Sequence, residues 1–276
     1  MLGVFQLPSI QNCTEDNGTI CLDGSTEVAA SCRYVLGDAT NTAVADRMGN
    51  YDLTQGATFA VAPYPGLYGT SEADGSAQPR SGGTSPAVAS GSPQIGVKDF
   101  LIEFVYKGTA TGGYTPIFCN QNSGLYGGFN VMRDTSDLDL RIYTMDESTV
   151  PTDTYTPQFA EGEWVHIVIA MNRDGTTTND YVLCVNGVQT AWGSGTNTPV
   201  PAAAKDITTS DNIAILNYPN DSFANGLRDP AILQYAALYI ETDFLPNGAA
   251  CAAAVSAYAN QRFMELTAGT GTFNGL

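Results

Sequence analysis

Apolar and polar residues alternate along most of the chain in short runs of five to ten, and Gly, Pro, Asn or Asp closes nearly every run. Strict alternation places every second side chain on one face of an extended strand, so the pattern predicts half-buried strands joined by turns. CRYVLG is the first such run. MGNYDLTQGATFAVAP adds a turn and a second short apolar stretch. DFLIEFVYKG, YTPIFCNQN, YGGFNVMRD and LDLRIYTMD follow at spacings of ten to fifteen residues. WVHIVIAMN and DYVLCVNGVQTAWG predict two further strands, and NIAILNY and AILQYAALYI two more. Asn186-Gly187, inside VLCVNGVQT, predicts a two-residue hairpin turn in which both residues have positive φ.

Two stretches break the alternation. GLYGTSEADGSAQPRSGGTSPAVASGSPQ is rich in Gly, Ser, Ala and Pro, and reads as a long surface loop or irregular edge. Near the end, AACAAAVSAYANQRFMEL changes to helical spacing, with Val255, Tyr258, Arg262 and Leu266 on one face. Regular short strands with one terminal helix imply an all-β sandwich with a short C-terminal helix. Residues 1–29, polar and with little periodicity, are set apart as an N-terminal arm and possible anchor. Residues 30–276 form the domain.

Charge narrows the partners. Of 276 residues, 28 are acidic and 11 basic, a net charge of −17. Nucleic acid and anionic lipid both require a basic footprint, so neither is an expected partner. No run approaches the roughly 20 apolar residues of a membrane helix. The opening MLGVFQLPSIQNCTEDNG lacks the basic and apolar regions of a secretory signal, so either a signal has been removed or the protein is made and assembled in the cytoplasm, and the second is the expectation. Six cysteines allow fifteen disulfide connectivities, and the sequence does not choose among them. With one histidine and no Cys-x-x-Cys pair, a Cys₂His₂ zinc site is ruled out.

Four motifs, in order, carry a resemblance: RYVLG…ADRMGNYDLTQGATF; the DFxxEF strand Asp99 to Phe104; the W-x-H strand and Arg-Asp-Gly turn, Trp164 to Gly175; and Val185-Asn186-Gly187. Together with the closing LQYAALY strand and helix, they resemble the laminin-G-like family of the concanavalin A-like lectin/glucanase superfamily over roughly residues 31 to 266. The resemblance implies a two-sheet antiparallel jelly-roll sandwich, concanavalin A-like, with functions ranging from sugar binding and adhesion to hydrolysis. It also places an aspartate in the penultimate strand of many members, where this chain has Gln234, with Asp229 five residues earlier.

The lone histidine decides how catalysis is weighed. Trp164, His166, Val168 and Ala170 share one strand face, and Val165, Ile167, Ile169 and Met171 the other, so His166 reads as a packing residue beside Trp164. No Gly-x-Ser-x-Gly elbow is present. A retaining glucanase needs two carboxylates about 5 Å apart on one strand face. The nearest approach is Glu241-Thr242-Asp243, with proline where a third acid belongs. Asp137-Leu138-Asp139 lacks a glutamate partner, and Glu72-Ala73-Asp74 lies in the loop. The expectation is a protein that is not an enzyme.

Exposed rings stack on sugars, which makes Trp192, Tyr126 and Tyr114 the candidate ligand residues. Calcium is the cation that loop oxygens would hold, from Asp211, Asn220 and Asp221, though no EF-hand spacing occurs; no other cofactor is implied. Asn186, Gly187, Trp164 and His166 are expected to be structural. The functional expectation is a structural or adhesion protein displayed on a virus particle, as a bacteriophage head-decoration or tail component. Its arm would dock on capsid or tail proteins, its sandwich on cell-surface glycan, in a multi-copy or homo-oligomeric assembly. A free extracellular lectin is the alternative, and a glycoside hydrolase with displaced acids the third reading.

Overall fold

Runs of β-branched and aromatic residues, each closed by turn residues, build two antiparallel sheets. The computed structural model describes residues 18–24, 26–35, 43–54, 87–107, 115–120, 128–133, 140–145, 154–155, 163–174, 180–191, 206–207, 212–215, 232–270 and 273. In chain order the strands are β1 (Thr19–Ile20), β2 (Val28–Val35), β3 (Ala43–Val44), β4 (Leu53–Thr54), β5 (Ala87–Ala89), β6 (Asp99–Lys107), β7 (Thr115–Cys119) and β8 (Gly128–Arg133). They continue with β9 (Leu140–Met145), β10 (Thr154–Tyr155), β11 (Trp164–Met171), β12 (Tyr181–Val185), β13 (Val188–Thr190), β14 (Ala214–Ile215) and β15 (Ile232–Glu241). One helix, α1 (Ala249–Ala268), follows.

Among the described residues the first sheet runs β1-β2-β15-β6-β11-β12-β13 and the second β10-β9-β8-β7-β14-β5-β4-β3. Alternation sorts the side chains of the first sheet into two cores. Phe100, Ile102, Phe104, Val165, Ile167, Ile169, Leu183 and Leu238 face the second sheet, meeting Leu53, Ile117, Phe118, Phe129, Val131 and Ile215. Leu101, Val105, Val168, Ala170, Val182, Tyr235 and Tyr239 face outward and are covered by Cys251, Val255, Tyr258, Ala259 and Leu266 of α1. The central strands are buried on both faces, which is why β6 and β11 read as nearly continuous apolar runs. The result is three layers: sheet, sheet and helix.

α1 carries the expected buried face, Val255, Tyr258, Arg262 and Leu266 among it. It ends at Gly269 in the left-handed conformation, φ 64°, where the Gly269 and Thr270 amides donate to Leu266 and Glu265 carbonyls. Asn186 (φ 50°) and Gly187 (φ 76°) form the expected turn between β12 and β13. Gly187 answers a second demand as well: a Cβ there would stand 3.0 Å from Phe263 Cβ and 3.1 Å from Asn260 Cα, so the hairpin tip lies directly against α1.

Two differences from the sequence reading concern short strands. β5 lies inside the stretch expected to be loop; it pairs with β4 and β14 through its backbone and needs only three residues to do so. β1 and the start of β2 lie within residues 1–29, and Thr19–Ile20 pair with Val28–Ala29 at the edge of the first sheet. Residues 1–17 of the arm lie outside the described residues.

Candidate functional site

Titratable groups concentrate between the first sheet and α1. Glu103, on the helix-facing side of β6, is 0 % exposed and makes four polar contacts. His166 of β11 reaches Oε1 with Nε2 at 2.8 Å. Arg262 of α1 donates Nε to Oε1 at 3.0 Å and Nη2 to Oε2 at 3.2 Å, and Tyr258 donates its hydroxyl to Oε2 at 2.9 Å. Arg262 also donates to Glu265 at 3.1 Å, and the ring of Phe273 lies 4.4 Å from its guanidinium carbon. His166 stacks on Phe263, ring centroids 6.4 Å apart, with the edge of Phe273 at 6.2 Å.

Electrostatics and burial oppose one another here. Burial alone pushes the Glu103 carboxyl up; the Arg262 guanidinium, with help from His166, outweighs it and holds the group down at about 2. Burial likewise works against the charge on Arg262, and Glu103 outweighs it, raising its pKa. With Glu103 ionised, the proton of His166 belongs on Nε2. Its Nδ1 is buried without a hydrogen-bond partner. A glutamate, a histidine and a tyrosine at hydrogen-bond distance are the parts of acid–base chemistry. Here they are sealed: His166 is also 0 % exposed and Arg262 only 3 %. What this arrangement can do is fasten the helix, because a bidentate, charge-assisted pair fixes one geometry across the sheet–helix interface.

A second anchor ties down the approach to α1. Asp99, at the start of β6, accepts the amides of Arg173 at 2.7 Å and Leu245 at 3.1 Å. Burial pushes its carboxyl up most; those two amides pull it down, Asp174 and Asp243 push it up again, and it comes to rest at about 6. Asn172 donates to the Leu245 and Pro246 carbonyls, both at 2.9 Å, and Asp180 accepts the Gly248 amide.

His166 is a wall residue, half-buried Trp164 packs on the same core with Lys107 Nζ 5.8 Å from its ring, and Asn186 Oδ1 accepts the His166 amide at 2.9 Å. The ligand candidates Trp192, Tyr126 and Tyr114 and the calcium candidates Asp211, Asn220 and Asp221 lie outside the described residues, as do Asp229, Asp137, Asp139, Glu72 and Asp74. Glu241 ends β15, but Asp243 falls in the turn beyond it with φ 53°, so the two are not a strand-face pair. Among the described residues, no group of three His, Cys, Asp or Glu is placed to hold a metal ion. Gln234, where the family resemblance looks for an aspartate, is buried at a bulge in β15 with Oε1 unpartnered.

Sequence reasoning missed Glu103, Arg262 and Asp99 as partners. The signal was present: Glu103 interrupts the apolar DFLIEFVYK run, and Arg262 interrupts the apolar stripe of α1, with opposite charges.

A laminin-G-type family model, described as the concanavalin A-like lectin/glucanases superfamily, matches residues 81–236, more than half of the chain. The chain belongs to this superfamily. Glu103 and His166 fall within the matched span, whereas α1 and Arg262 lie beyond it. Solved structures show the same concanavalin A-like fold at low identity. A structure titled as a receptor binding domain has a TM-score of 0.55 and 14 % identity, covering 94 % of this chain and 53 % of its own. The botulinum neurotoxin serotype G binding domain has a TM-score of 0.54 and 12 % identity, covering 85 % and 50 %. The Trypanosoma rangeli sialidase in complex with 2,3-difluorosialic acid has a TM-score of 0.53 and 14 % identity, covering 91 % and 36 %. The chain thus spans about a third to a half of these proteins. No curated protein matches it in sequence.

Proposed function

We propose that the chain is a non-catalytic adhesion module that binds cell-surface carbohydrate. The observation that carries this reading is the sealed cluster: the one described set of acid–base groups, Glu103, His166 and Tyr258, is buried under α1 and committed to holding it. The superfamily includes lectins, and two similar folds bear titles of binding domains while a third is complexed with a sialic acid derivative. We place the module on the surface of a virus particle, as a head-decoration or tail component. Among the described residues Cys21, Cys32, Cys184 and Cys251 are free thiols, three of them buried, and thiols outside disulfides fit assembly in a reducing cytoplasm better than secretion.

A glycan array probed with the full chain tests the first part: selective binding without product release from β-glucans or alginate-like polymers is expected. Turnover of any of these would overturn it. Density-gradient fractionation of the source material tests the second part. A chain banding with a nucleic-acid-containing particle supports display, and a chain remaining free at the top leaves the soluble lectin reading.

A further inference from the structure

Asn247-Gly248, between β15 and α1, is a dipeptide whose backbone can react with its own side chain. The glycine nitrogen loses its proton and attacks Cγ of the asparagine. An N–Cγ bond forms, the Cγ–Nδ2 bond breaks, and ammonia leaves with that proton, giving a cyclic succinimide. Water then opens the ring at either carbonyl, leaving aspartate or isoaspartate. Glycine permits the attack because no side chain shields its nitrogen, and a Cβ added at Gly248 would meet nothing within 4 Å. Asn247 is exposed, so water has open access to it.

Two buried side chains hold the reacting groups. The Gly248 amide donates to the Asp180 carboxylate. A peptide nitrogen is planar, so the ring bond has to form along the direction of that N–H, where Asp180 sits. Asn247 Oδ1 accepts from Asn172 Nδ2 at 3.0 Å. Asn172 is 2 % and Asp180 1 % exposed, and the Asn172 amide donates to the Asp180 carbonyl at 2.8 Å. Both restraints therefore come from one place, where β11 ends and β12 begins, whereas Asn247 and Gly248 belong to the approach to α1.

We infer that Asn247 is a self-modification site gated by α1. With the helix docked it is held unreacted; when the helix lifts, local opening frees both groups together and the ring closes. The product is a permanent mark. Isoaspartate adds a methylene to the main chain between the Pro246 carbonyl, which Asn172 holds at 2.9 Å, and the Gly248 amide, which Asp180 holds. The two bonds cannot then both be met at the old spacing, so the helix redocks less firmly.

The test incubates the full chain at mildly alkaline pH, folded and in denaturant, and follows conversion of Asn247 by peptide mass spectrometry. Conversion should run roughly tenfold or more slower in the folded chain, because only its opened fraction reacts. Two variants of the folded chain should each convert several-fold faster than the parent. Asp180→Ala frees the Gly248 amide, and Glu103→Gln leaves the junction untouched and weakens the docking of α1 instead. Aged parent carrying isoaspartate at 247 should melt below fresh parent. Equal rates in the folded and denatured parent overturn the inference, as does an unchanged rate in a folded Asp180→Ala chain. Where Asp180→Ala does not fold, Glu103→Gln decides in its place, and an unchanged rate there overturns the inference.

Discussion

Glu103 and Asp99 stand on one strand, four residues apart; burial pushes both carboxyls up, and their partners decide the outcome. Glu103 meets a guanidinium, so its folded pKa of about 2 lies below the ordinary 4.5. It contributes stability that is fully present above pH 4.5 and is lost as the pH falls toward 2. At Asp99 burial outweighs the two amides that pull the carboxyl down, with Asp174 and Asp243 adding to the rise, so its folded pKa of about 6 lies above the ordinary 3.8. The folded state holds that proton more tightly, and stability is lost as pH rises from 3.8 through 6. Melting temperature followed from pH 2 to 8 should therefore peak at about pH 4, where the two windows overlap. Asp99→Asn should flatten the descent on the alkaline side. A Tm that rises steadily from pH 4 to 7 would contradict the assignment of Asp99.

At the scale of elements, the hairpin and the helix depend on each other. Gly187 has to adopt positive φ and must also let Phe263 and Asn260 of α1 approach. Gly187→Ala should lose about 1–3 kcal/mol, seen as a lower denaturant midpoint at unchanged slope; an unchanged midpoint would show that α1 does not rest on the turn. The faces of β11 and α1 were legible in the sequence, because periods of 2 and 3.6 are local properties. The same holds for the Asn186-Gly187 turn, whose φ demand is written in two residues. Pairing between distant elements was not legible. Glu103 and His166 are 63 residues apart, and Glu103 and Arg262 are 159 apart. Only the register of β6 against β11 and the docking of α1 bring them together. β1 and β5 escaped notice because strands of two and three residues are too short to show a period. The ring and oxygen residues chosen for ligand binding sit in connections between strands, outside the described residues, where periodicity gives no position.

As a whole, the molecule is a lectin-type sandwich with a third layer. α1 covers a sheet face that is otherwise apolar, and the buried Glu103–Arg262 pair sets where it lies. This cluster fastens the helix to the sheet. Replacing Glu103 by Gln leaves Arg262 buried and without its charge partner, a loss of about 3–5 kcal/mol. The most direct measurement is a thermal melt of the Glu103→Gln chain beside the parent, with polysaccharide turnover assayed on both. The account expects a Tm lower by roughly 10 °C, and no turnover in the parent for the substitution to remove. An unchanged Tm, together with a hydrolytic activity present in the parent and lost in Glu103→Gln, would contradict it.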